Sequence, residues 1–142
     1  MNVRNTEVSD LAPLSNLKNL KELNIENTNV KSLQALHELS NISKIYADGS
    51  KLTQDEVVAL KRKQRQLTVI YQTDDLRLWW GNLDMAWREI FNSHLTCNSN
   101  PTAEQLQSIV DLEEIVVDPN NVVYSLESLQ QMSFLRKLII NN

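Results

Sequence analysis

The chain has 142 residues, of which 42% are hydrophobic and 23% charged, and this composition fits one ordinary domain or a short solenoid. The formal net charge of −4 disfavours a nucleic-acid partner, because phosphate binding needs clustered positive charge. A single cysteine excludes a disulfide within the chain, and two glycines exclude a glycine-rich phosphate loop.

No apolar run approaches the roughly 18–20 residues that a membrane helix requires. The first residues, MNVRNTEVSDL, have no apolar core of the kind found in a secretory signal. The compartment therefore stays open, with the cytoplasm favoured, and a secreted protein would need its signal outside this chain.

Residues 1–52 repeat at an interval of 22 residues. Val8, Val30 and Leu52 keep this spacing. A constant period of this length indicates one supersecondary unit that stacks on copies of itself. Further apolar pairs at the same interval are Leu11 and Leu33, Leu14 and Leu36, Leu17 and Leu39, Leu20 and Ile42, Leu23 and Ile45, and Ile25 and Ala47.

Residues 20–30, LKELNIENTNV, fit the spacing L-x-x-L-x-L and resemble the leucine-rich repeat family. More narrowly, the segment is similar to the 22-residue bacterial subclass, with Thr28 where other subclasses carry Asn or Cys. Each unit is then a short strand followed by a return leg with inward-facing leucines. Parallel strands are predicted at about residues 2–4, 23–25 and 45–47, with Leu20, Leu23, Ile25, Leu33, Leu36 and Leu39 buried.

The pattern changes at Thr53. The sequence TQDE, Thr53 to Glu56, is a capping box that predicts a helix over about residues 54–65. An apolar strand is predicted next, at about residues 68–71. A helix and strand after a run of repeats resemble a C-terminal cap, so residues 1–73 are predicted to form one domain.

Helical spacing of large apolar residues marks the segment 75–92, with Gly81-Asn82 as a potential break. Its aromatic residues could form a ligand-stacking platform, but aromatics at helical spacing mostly fill a core. Trp79 falls off this stripe and is expected to be the most exposed of the three tryptophans. The stripe consists of Trp80, Leu83, Trp87, Ile90 and Phe91.

A further helix is predicted at 103–109, opened by a capping box of Thr102 and Gln105. Strands follow at about 115–117 and 138–140, and the repeat interval lengthens to 23 residues between Leu112 and Leu135. Residues 74–142 are therefore predicted to be a domain of helices resembling an N-terminal cap, followed by leucine-rich repeats. The fold class expected for the whole chain is α/β: a leucine-rich repeat solenoid with parallel strands, in which helical cap segments separate two short repeat runs.

Few residues suggest catalysis or metal binding. His94 and Cys97 are three residues apart, but two ligands without a second pair do not make a zinc site. Cys97 as a nucleophile would need His and Asn or Asp partners, and His37 is the other histidine. We therefore expect no catalytic residue, no metal and no cofactor, and a protein that is not an enzyme.

The outer face of the strands carries the candidate binding residues. Side chains between the buried positions point to one surface, and stacking aligns them in rows. The alternative is a solvated polar face without a partner. Resemblance to the leucine-rich repeat family implies that this concave face binds a protein, whose identity the sequence does not give. The candidates are Asn2, Arg4, Glu22, Asn24, Glu26, Lys44, Tyr46 and Asp48, with Tyr46 foremost because tyrosine is enriched at binding hot spots.

A second hypothesis is a structural, self-assembling element. The chain starts and stops within repeats, so the strand at 138–140 is a suitable neighbour for the strand at 23–25. Head-to-tail joining through these uncapped termini would give a homo-oligomer as a ring or filament. The two hypotheses are a non-enzymatic protein–protein interaction module and this self-assembling element.

Overall fold

The structure, a computed structural model, describes residues 1–96 and 99–141. It divides into two compact units, Met1–Gln72 (unit 1) and Thr73–Asn142 (unit 2). The assignment of residues 1–73 and 74–142 as separate domains of the expected kinds stays a prediction.

Unit 1 is built on three short parallel strands. They are β1 (Glu22–Asn24), β2 (Lys44–Tyr46) and β3 (Thr68–Ile70), in that order in the sheet. Short 3₁₀ turns at Ala12–Leu14 and Gln34–Leu36 precede β1 and β2, and helix α1 (Gln54–Lys63) precedes β3. Glu22 lies opposite Lys44, and Lys44 lies opposite Thr68. Paired positions are therefore 22 residues apart between β1 and β2 and 24 apart between β2 and β3.

The core of unit 1 contains every second side chain of its first two strands, because side chains alternate between the two sides of a strand. Leu23 and Ile45 are fully buried, while their neighbours on the same strands are at least partly exposed. Predicted burial is confirmed for five of the six leucine and isoleucine positions, and Leu20 is half-buried instead. One of the two hydrogen bonds of the predicted capping box is confirmed: the Thr53 side chain accepts from the Glu56 N–H at 3.4 Å.

The turns that follow the bridge residue Asn2, β1 and β2 use a left-handed backbone. Asn5, Asn27 and Gly49 have φ values of 58°, 53° and 72°. The Asn27 side-chain amide donates to Asn5 Oδ1 at 2.9 Å. A Cβ atom on Gly49 would lie 2.1 Å from Asn27 Oδ1, so the amide already fills the place of a side chain at Gly49.

In its described residues, unit 2 combines three α-helices with a two-stranded parallel sheet. The helices are α2 (Thr73–Asn82), α3 (Met85–His94) and α4 (Ala103–Val110). The strands are β4 (Glu114–Val117) and β5 (Lys137–Ile140), joined through a 3₁₀ segment at Glu127–Gln131. The predicted break at Gly81-Asn82 is confirmed by the end of α2, and the capping box of Thr102 and Gln105 is confirmed at α4.

Tryptophans organise the core of unit 2. Trp87 is fully buried, stacks on Phe91 with ring centroids 5.5 Å apart, and donates from Nε1 to the Ser125 carbonyl at 2.9 Å. Trp79 is the most exposed of the three tryptophans, as predicted, but it is not fully exposed. Its ring is half-buried against Phe91, and its Nε1 donates to the Ser128 carbonyl at 3.0 Å.

The predicted leucine-rich repeat solenoid is wrong. Residues 1–96 and 99–141 form a small mixed α/β structure with four α-helices and two small parallel sheets, of three and two strands, without a solenoid arrangement. Repeats that stack as equal units need a constant interval between paired strands. Before β3, a ten-residue helix takes the place of the 3₁₀ turn and lengthens that interval. The chain then enters α2 at Thr73. The three-stranded sheet ends at β3.

Most of the individual elements match the sequence-based prediction. The strands expected from 23–25 onward are confirmed with ends shifted by no more than one residue, and the expected helices are present. The strand expected at 2–4 is wrong, since only an isolated parallel bridge joins Asn2 to Asn24. Over the described parts of the chain, no helix is long and apolar enough to cross a membrane.

Candidate functional site

The outward side of the sheet in unit 1 is the candidate site. Because Leu23 and Ile45 point into the core, their neighbours on β1 and β2 point to the other side. The register places Asn24 beside Tyr46. The strand face is defined here as Asn2, Arg4, Glu22, Asn24, Glu26, Lys44, Tyr46 and Asp48.

Two asparagines of the strand face hydrogen-bond to the backbone and also contribute polar groups to the face. Asn2 Oδ1 accepts from the Arg4 N–H at 3.0 Å, and Asn24 Oδ1 accepts from the Glu26 N–H at 3.0 Å. Such side-chain bonds to the backbone two residues ahead are typical of turns. The backbone after Asn2 and the end of β1 are therefore held by residues that also line the face.

Arg4, Asn24 and Glu26 form a small polar network. The Asn24 amide donates to Glu26 Oε2 at 3.0 Å, and Arg4 Nε lies 3.8 Å from the same oxygen. The Arg4 side chain is 52% exposed and that of Glu26 is 24% exposed, so the ion pair contributes little to stability.

The aromatic centre of the face is Tyr46. The Lys44 Nζ lies 5.8 Å from the centroid of the Tyr46 ring, within the range of a cation–π contact. Tyr46 is half-buried, so part of its ring is fixed by packing and part is accessible. A restrained aromatic ring loses little side-chain entropy when a partner covers it.

Strand β3 adds a residue that the sequence analysis missed. Thr68 lies opposite Lys44 and extends the face by one strand. Ile70 lies opposite Tyr46 but is only 3% exposed, so the row of Asn2, Asn24 and Tyr46 ends at β2. The alternation of side chains within LTVIY predicts that Thr68 points outward. It does not predict that Ile70, at the next outward position, is buried.

A separate cavity of about 430 Å³ lies in unit 2. His94 is on its wall, while Cys97 is outside the described residues. Within 1–96 and 99–141, no group of three or more His, Cys, Asp or Glu residues could hold a metal ion. The lining residues are His94, Leu95, Thr96, Thr102, Glu104, Gln105 and Ser108.

The chain matches no known family model, and no curated protein matches it. Its resemblance to the leucine-rich repeat family therefore rests on the sequence pattern alone and stays a prediction.

Proposed function

We propose that the chain is a non-enzymatic protein–protein interaction module that binds a partner protein through the strand face of unit 1. The observation that carries this proposal is the register that sets Asn24 directly beside Tyr46, with Lys44 against the Tyr46 ring. Polar and aromatic groups on neighbouring strands then form one surface on a rigid sheet. Such a surface needs little reorganisation to bind.

The partner is expected to present a polar surface of mixed charge. The face carries two cations, Arg4 and Lys44, and three carboxylates. It offers hydrogen-bond donors and acceptors around one aromatic ring, which is the usual setting of a hot spot. The carboxylates are those of Glu22, Glu26 and Asp48.

Tyr46→Ala is expected to weaken partner binding by about 1 kcal/mol or more, because truncation removes the aromatic contact at the centre of the face. Asn24→Ala and Glu26→Ala should have smaller effects in the same direction. Affinity capture from the native host identifies the partner, and titration calorimetry then compares the variants.

A matched control for this experiment is Tyr124→Ala. Tyr124 is 90% exposed and belongs to unit 2, outside the strand face. The control should bind like the unmodified chain, and thermal unfolding should be nearly unchanged in both tyrosine variants. If Tyr124→Ala abolishes binding while Tyr46→Ala does not, the binding surface is elsewhere.

Head-to-tail self-assembly is the second candidate function. In its favour, β5 pairs only with β4 within the described residues, and Ile140 is 45% exposed. Against it, the edge of β1 is already occupied, since the Val3 N–H donates to the Asn24 carbonyl and the Asn24 N–H to the Met1 carbonyl, both at 2.9 Å. A second copy would have to displace these bonds. Light scattering separates the two candidates, because self-assembly requires a mass that grows with protein concentration.

A further inference from the structure

His94 joins the end of α3 to the outer edge of β4. Its Nδ1 lies 2.9 Å from the Ile90 carbonyl oxygen and 3.3 Å from the Ser93 hydroxyl. Its Nε2 lies 3.1 Å from the Val116 backbone nitrogen. One imidazole ring therefore bonds to a helix end and to a strand at the same time.

These partners show which tautomer of the ring makes both contacts. A carbonyl oxygen can only accept, so Nδ1 carries the proton that is shared with Ile90. A backbone N–H can only donate, so Nε2 presents a lone pair to Val116. The contact is made by the neutral Nδ1–H tautomer and by no other form of the imidazole.

The bond to Val116 occupies an otherwise open strand edge. Strand β4 pairs with β5 on one side, and within the described residues no strand lies on the other. Val116 is 38% exposed. His94 Nε2 thus accepts a hydrogen bond from the Val116 N–H, which on an unpaired strand edge would otherwise bond to water.

We propose that His94 is a pH-sensitive contact, which holds β4 when neutral and releases it when protonated. Protonation turns Nε2 into a donor, and two donors that face each other repel. The same positive charge strengthens the bond from Nδ1–H to Ile90, because cations are favoured at a helix C-terminus. The imidazolium therefore stays with α3 and leaves β4. Histidine is the side chain whose charge ordinarily changes between about pH 5 and 8.

The elements around this contact carry charged groups of both signs. The Lys137 Nζ pairs with Glu114 Oε2 at 3.2 Å, which ties the cation of β5 to β4. Glu104 on α4 lines the same pocket as His94. Glu114 and Asp118 lie two residues before and after Val116, Lys137 is on β5, and Arg88 and Glu89 precede His94 on α3.

Nuclear magnetic resonance on the unmodified chain tests the first step. Long-range proton–nitrogen correlations at pH 8 should show the Nδ1–H tautomer for His94, with His37 in unit 1 as an internal reference. Observation of the Nε2–H tautomer at His94 overturns the proposal, whether or not any variant folds.

Hydrogen exchange tests the second step. The protection of the Val116 amide, corrected for intrinsic exchange, should fall by about two- to tenfold between pH 7.5 and pH 5, the range expected for loss of one hydrogen bond. His94→Gln retains an acceptor that does not titrate, so its Val116 protection should not change with pH. The proposal fails if protection in the unmodified chain is independent of pH, or if the glutamine variant loses protection equally.

Discussion

Trp87→Ala is expected to lower the free energy of unfolding of unit 2 by about 3–5 kcal/mol, the range for truncation of a large buried aromatic residue. Trp87 is fully buried and stacks on Phe91. The variant also removes the indole N–H that donates to the Ser125 carbonyl, so Ser125 loses this hydrogen bond to α3. Chemical denaturation followed by circular dichroism measures the loss.

A graded control separates packing from the hydrogen bond. Trp87→Phe keeps an aromatic ring but loses the indole N–H, so it should cost less than the alanine variant. It also keeps the prediction testable if Trp87→Ala does not fold. An alanine variant within about 1 kcal/mol of the unmodified chain would contradict a core role for Trp87, since such truncations cost several times more.

Gly49→Ala is expected to destabilise unit 1 by about 2–4 kcal/mol, from a strained left-handed backbone together with overpacking. At φ 72° an alanine is strained, and its Cβ would lie 2.1 Å from Asn27 Oδ1. Both costs act in the folded state. Equilibrium unfolding in urea gives the difference in free energy.

Two further variants identify the cause of this effect. Asn27→Ala removes the oxygen that occupies the Cβ position, so the double variant with Gly49→Ala should be more stable than the sum of the single effects by about 1 kcal/mol or more. Gly81→Ala is the matched control, because Gly81 lies in α2 with nothing within 4 Å of the added Cβ. It should be neutral or slightly stabilising. Equal losses at both glycines would mean that the contact with Asn27 is not responsible.

The sequence period determined the local elements of this protein. Alternation at Leu23 and Ile25 placed β1 and its buried side, because a strand whose side chains alternate has only one register that buries the apolar set. The interval of 22 residues also gave the pairing of Glu22 with Lys44. The capping residues Thr53 and Thr102 gave the starts of α1 and α4, since a helix start is decided within one turn.

The candidate site was predictable only in outline. Periodicity indicated which side chains of β1 and β2 point outward, including Asn24 and Tyr46. It did not give the bond from Asn24 to Glu26, the position of Lys44 against Tyr46, or the burial of Ile70. These depend on rotamers and on neighbours far along the chain.

The sequence alone thus determined most of the helices and strands and most of the side chains that enter a core, because these are settled by contacts within and between adjacent segments. Only the tertiary structure decided how far each sheet extends, and there the predicted solenoid was wrong. Extension depends on whether the next segment presents a strand. After α1 the strand β3 still pairs with β2, and the series stops where the chain enters α2. The tertiary structure also brought His94 to Val116 across 22 residues of chain, a contact made by packing and not by a local pattern.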